Sequence, residues 1–160
     1  RAWEMRCNNM QIWVDADACP TAIREVIAKA AHKRSIVTTF VANHGFSLPN
    51  SPFVKLYQVP SGFDEADKEI ERRVTAGDLV ITADIPLASD VIEKEALVLT
   101  PRGERYTENN IKQRLQMRDF METMRSSGAQ TGGPPALNLT DRKHFSDQLD
   151  RLLTKAQNNR

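Results

Sequence analysis

The stretch MQIWVDADACPTAIREV, residues 10–26, decides how this chain is read. QIWVD (11–15) is a short apolar run with a polar stop, the signature of a buried strand. From Pro20 the pattern changes: Pro20 suits the first helical position. Ile23, Val26, Ile27 and Ala30 then recur at three- and four-residue steps, predicting a helix over 20–34. A buried strand running through a short polar connection into an amphipathic helix is the opening of a βαβ unit. The connection carries Asp15 and Asp17, two carboxylates one residue apart, where the strand ends.

The alternation continues outward from that unit. IVTTFVA (36–42) is β-branched and strand-like, NHGFSLPNSP (43–52) is turn chemistry, and FVKLYQV (53–59) alternates with period two. FDEADKEIERRV (63–74) places Phe63, Ala66, Ile70 and Val74 on one helical face, with Asp64 a candidate cap, and Gly77 stops it. DLVITA (78–83) and ALVLT (96–100) read as strands four and five around a short helix, PLASDVIEK (86–94); Asp78 reads as a turn residue. PRGERY is a turn-rich connection to a long helix over about 108–125, whose Met117, Phe120, Met121 and Met124 form an apolar seam expected to be core. SSGAQTGGPP (126–135) is a loop, readable as a substrate cover or as a slack connector. A final helix near Thr140-Asp141 carries Phe145, Leu149, Leu152 and Leu153 on one side. Strands alternating with helices predict an α/β fold, with a mostly parallel sheet of about five strands covered on both faces.

The 160 residues suit one domain, expected over 10–160, with 1–9 read as a leader or added remnant before Met10. A net charge of +1 gives no global basic field, so any nucleic-acid surface is a local patch. Two cysteines suggest no disulfide framework, and the expected location is cytoplasmic. No apolar run approaches the roughly 20 residues of a membrane span. Nothing in the sequence specifies an oligomeric state.

In open parallel sheets the active site lies outside the carboxyl ends of the strands. Asp15 and Asp17 follow strand one, Asn43 and His44 strand two, Thr82 and Asp84 strand four, and Arg102, Glu104 and Arg105 strand five. Asp67 stands one turn into the helix before strand four, and Asp90 a turn and a half into the helix after it. Carboxylates brought this close repel unless something positive sits among them. An all-oxygen set suits Mg²⁺ or Mn²⁺. Asp15, Asp17, Asp67 and Asp84 are thus the candidate catalytic acids. Asp15, Asp67, Asp84 and Asp90 are the candidate metal ligands, and Arg102, Arg105, Asn43 and Thr82 the candidate phosphate-binding groups. A divalent ion there could activate water against a phosphodiester. Each acid also has a structural reading: Asp17 as a helix cap, Asp67 as a dipole-stabilising residue. Lys112, Arg114, Arg118 and Arg125 extend the basic groups along the long helix, interleaved with acids as on a solvated face.

Other chemistries share parts of this pattern. A strand followed by D-x-D also resembles the first motif of haloacid-dehalogenase-type phosphatases, with Asp15 as nucleophile and Asp17 as acid/base, but no later lysine and acidic pair accompany it. Cys19 at a helix start would be activated as a nucleophile, yet four residues separate it from Arg24, one short of the cysteine-phosphatase loop. His32, His44 and His144 have no metal-ligand spacing, and no P-loop or G-x-G-x-x-G occurs.

IWVDADACP, GFDEADKEI, GDLVITADIPLA, PRGERYT, RLQMRDFM and SGAQTGGP, in this order, resemble the YaiI/YqxD family of bacterial proteins, whose function is unassigned. That family is in turn similar to PIN-like nucleases. The second resemblance implies a three-layer α/β/α sandwich whose acids bind Mg²⁺ or Mn²⁺ and cut RNA or DNA. It matches Asp15, Asp67 and Asp84 to the nuclease acids and Asp90 to an accessory one. Asp17 and Cys19 belong to the narrower family alone. A non-catalytic nucleic-acid- or protein-binding domain on the same scaffold is the alternative from a different class.

Overall fold

A computed structural model describes residues 10–60, 65–128 and 137–158. Six strands form one sheet: β1 (Ile12–Asp15), β2 (Thr38–Ala42), β3 (Val54–Gln58), β4 (Leu79–Ile81), β5 (Leu97–Leu99) and β6 (Arg105–Tyr106). Their order is β3-β2-β1-β4-β5-β6, parallel except for β6. Five α-helices accompany them: α1 (Thr21–Arg34), α2 (Glu65–Arg73), α3 (Ile85–Glu93), α4 (Glu108–Ser126) and α5 (Leu139–Asn158), with a 3-10 turn over Ala16–Ala18.

Alternation along the strands sorts the core into two halves. Val14 on β1 and Phe40 on β2 face α1 and α5, packing with Ile23, Ile27, Phe145, Leu149 and Leu153. Trp13, Val41, Val80 and Val98 face the other way, onto Ala66 and Ile70 of α2, Leu87 and Val91 of α3, and Ile111 of α4. Successive side chains of a strand point to opposite faces, so one four-residue strand supplies both cores. The result is a three-layer α/β/α sandwich.

Four details differ from the sequence reading. PRGERY is more than a connection. Gly103, at φ +88°, turns the chain back, and Arg105–Tyr106 pair antiparallel with β5, giving a sixth strand. A side chain on Gly103 would come within 2.5 Å of the His144 ring and 3.0 Å of its backbone, so this turn lies directly on α5. Pro20 stands just before α1 as its N-cap. The start of α5 is capped by Asn138, whose side chain accepts from the Asp141 N–H while the Asp141 carboxylate accepts from the Asn138 N–H. Thr140-Asp141 is thus already inside the helix.

The largest departure is α4. Its apolar seam is not core: Met117 is 57% and Phe120 58% exposed, Met121 and Met124 are partly exposed, and Ile111 is the buried residue of the helix. The reason is length. At 1.5 Å per residue, the 19 residues of α4 run about 28 Å, whereas its neighbour α3, with 9 residues, runs about 13 Å. The first turns pack on α3; the rest passes beyond it. Phe63, Asp64 and most of the 126–135 loop lie outside the described residues.

Candidate active site

Parallel strands bring their carboxyl ends to one edge, and strand order reverses between β1 and β4, where a crevice opens. Asp15 ends β1 at that point. Odd-numbered residues of β1 face α2 and α3, so Asp15 follows Trp13 to that side, and Thr82 follows Val80 on the adjacent strand. The Thr82 hydroxyl donates to Asp15 Oδ2 at 3.1 Å. It also accepts from the Asp84 N–H at 3.0 Å, so one side chain ties the ends of both central strands.

Asp15 retains 7% of its surface exposure. Burial pushes its carboxyl up to about 6; the Thr82 hydrogen bond opposes the shift, and the nearby charges of Asp84 and Asp17 add to it. Asp84 is the N-cap of α3, with Oδ1 accepting from the Leu87 N–H at 2.9 Å. Asp17 does not cap α1. Its Oδ2 accepts from the Asn43 N–H at 2.9 Å, and its Oδ1 lies 3.1 Å from His44 Nδ1, so the ends of β1 and β2 are joined through it. Asn43 therefore contributes its backbone to Asp17.

Two cavities flank the dipeptide that follows Thr82. Ala83 lines a crevice of about 370 Å³ that also includes Ala18, Pro20, Thr100, Arg102 and Glu104. Asp84 lines the other, of about 350 Å³, together with Asp67, Asp90, Glu71 and Arg118. Sequence-predicted acids 67, 84 and 90 thus share one cavity, and Arg118 of α4 reaches the same place. Asp15 and Arg105 line neither cavity. Arg102 Nη1 donates to Asp141 Oδ2 at 2.8 Å. Arg105 lies opposite Leu99, its Nε enclosed without a hydrogen-bond partner and its guanidinium pushed below the usual arginine range by burial. Along α4 the cations pair with acids: Arg114 with Glu104, Arg118 with Asp119, Arg125 with Glu122. That is a solvated, charge-balanced face.

Among the described residues no group of three or more His, Cys, Asp or Glu is arranged to hold a metal. The side-chain bonds account for this: Asp84 is turned to cap α3, Asp15 to Thr82, and Asp17 to Asn43 and His44. Cys19 is not an activated thiol. Burial pushes it up to about 12, against the Arg24 charge that lowers it, with Asp15 adding to the rise.

Asp78, expected as a turn residue, does close a turn with Thr75, and it also makes long-range bonds that the sequence reading did not include. At the opposite edge of the sheet it is 1% exposed and accepts from Gln11 N–H, Trp13 Nε1, Thr75 N–H and the Thr75 hydroxyl. It is a structural hub, and its main ligand, Trp13, is 65 residues away. No local pattern marks such a pair.

Comparison with known proteins gives one family. Residues 13–155 match the profile described as uncharacterised, YaiI/YqxD family. A UPF0178 protein of Colwellia psychrerythraea is 60% identical over 146 residues, covering 91% of this chain and 97% of that one. Those of Aliivibrio salmonicida (60% over 148 residues, 92% and 98%) and Yersinia pestis (58% over 149 residues, 93% and 98%) are similar. No solved structure matches. The chain belongs to the YaiI/YqxD family, whose members are uncharacterised.

Proposed function

We propose that this member of the YaiI/YqxD family is a hydrolytic phosphodiesterase acting on RNA, with DNA as the second substrate to test, and that Asp15 handles the proton. The observation that carries the reading is the Asp15 carboxyl itself. It is buried at the end of the central strand, oriented by Thr82, and raised to about 6. A base with that value is ionised near neutrality yet basic enough to accept a proton from water. As the water oxygen bonds to phosphorus, Asp15 takes its proton and the bond to the leaving sugar oxygen breaks; that oxygen is protonated by solvent. These steps use the chain's own residues and route nothing through a metal.

The test is cleavage of a single-stranded RNA by the purified chain, in EDTA and with added Mg²⁺ or Mn²⁺. Asp15→Asn is expected to reduce cleavage by about 100-fold or more. Full activity in that variant overturns the reading. Cleavage appearing only with Mn²⁺ and lost in Asp15→Asn would keep Asp15 and return a metal to the site. The exposed Met117 and Phe120 of α4 favour a second reading, a non-catalytic binding domain; nucleic-acid affinity without cleavage under any of these conditions supports it. A phosphatase using Asp15 and Asp17 would instead hydrolyse a generic aryl phosphate and leave an aspartyl-phosphate on Asp15.

A further inference from the structure

We propose that the crevice at the strand-order reversal is a guanine subsite. Its lining is apolar at Ala18, Pro20, Pro101 and Leu137, and includes Thr100, Tyr106 and two charged residues, Arg102 and Glu104. At about 370 Å³ it falls in the range of small-molecule pockets, which combine apolar walls with a few placed polar groups.

The two charged groups are chemically opposite and each is held in place. Arg102 is anchored by Asp141, and Glu104 by Arg114. The Glu104 backbone N–H also bonds the buried Thr100 hydroxyl at 3.0 Å, which fixes the turn carrying both. With their charges balanced by these ion pairs, the crevice has no net preference for an anion. What its lining offers is an acceptor-only carboxylate and a donor-only guanidinium, carried on either side of Gly103, together with apolar neighbours. That is the complement of a planar base with adjacent N–H donors on one edge and carbonyl and ring-nitrogen acceptors on the next. Guanine alone among the common bases has that order: N1–H and the N2 amine for Glu104, O6 and N7 for Arg102. Adenine sets its N1 lone pair against the carboxylate, and cytosine sets N3 there. In the consequence it draws for cleavage, this inference rests on the phosphodiesterase reading: a base seated beside Ala83 would put the adjoining phosphate next to Thr82 and Asp15.

Calorimetry on the full chain tests the subsite directly. GMP is expected to bind at least about 10-fold more tightly than AMP, CMP or UMP, the discrimination that charged hydrogen bonds to a base edge provide. Ala18→Leu, which fills the crevice from an exposed position, is expected to lose GMP binding while the melting temperature holds. Glu104→Gln is expected to abolish the preference for GMP over AMP. Equal affinity for all four nucleotides, or GMP binding indifferent to Ala18→Leu, overturns the proposal. A uridine pentaribonucleotide with one central guanosine, set against the all-uridine strand, separates the two sources of the base. Preference for the guanosine strand assigns the crevice to RNA; GMP binding without it assigns the crevice to the free nucleotide. Guanine discrimination with no RNA cleavage would sink the phosphodiesterase reading and leave the subsite standing. Cleavage with no guanine discrimination would do the reverse.

Discussion

Asp15 and Asp78 are the same residue type, both buried, at opposite edges of one sheet, and their surroundings separate them. Asp78 is saturated with donors and holds the fold together; Asp15 has one hydroxyl and two acidic neighbours. The Asp15 carboxyl titrates near 6 in the folded chain, above its ordinary 3.8. Between about pH 4 and 6 the folded state therefore keeps a proton that the unfolded state has released, so stability falls as pH rises through that window. The cost at neutral pH is about 3 kcal/mol at most. Asp15→Asn is expected to raise the melting temperature at pH 7.5 and change it little at pH 4, which paired thermal denaturations will show. A stabilised, inactive variant is the mark of a group kept for chemistry. Asp15 was legible because a bare carboxylate ending an apolar strand has little structural reason to be there. Asp78 was legible only as a turn residue, because its bond to an indole 65 residues distant leaves no local pattern. Asp17, a candidate catalytic acid whose structural reading was a helix cap, does not cap α1 and links two strand ends.

At the level of elements, period identified the five α-helices of the described residues, and the five parallel strands came within a residue or two of their bounds. What period does not give is the length of the neighbour. The Met117–Met124 seam has the pattern of a packed helix, yet α3 is too short to cover it. Chemical denaturation distinguishes the two kinds of apolar face. Phe145→Ala, in the core between α5 and the sheet, is expected to cost about 3–5 kcal/mol. Phe120→Ala, more than half exposed, is expected to stay within about 0.5 kcal/mol. β6 was hidden for a related reason. A two-residue strand is too short for alternation to show, and it exists because Gly103 reverses the chain beside β5.

For the whole molecule, the carboxyl edge of the sheet where the candidate residues gather followed from βαβ alternation, and the strand order puts Asp15 at its reversal point. The two cavities on either side were beyond the sequence, since each is walled by segments far apart in the chain. The crevice in particular needs α5, which supplies Asp141 for Arg102 and the surface on which the Gly103 turn rests. Gly103→Ala would combine a left-handed backbone with a side chain driven against His144. It is expected to destabilise the chain by about 1–3 kcal/mol and to weaken GMP binding, measurable by thermal denaturation and calorimetry. That contact has a bearing on timing. Synthesis proceeds from the amino terminus, so β1 through β5 leave the ribosome with Asp15 and Thr82 already able to meet. The turn bearing Arg102 and Glu104 gains its support only once α5 has emerged. Until then a nascent chain carries its acid without the neighbouring crevice, and the two come together only when α5 packs onto the sheet.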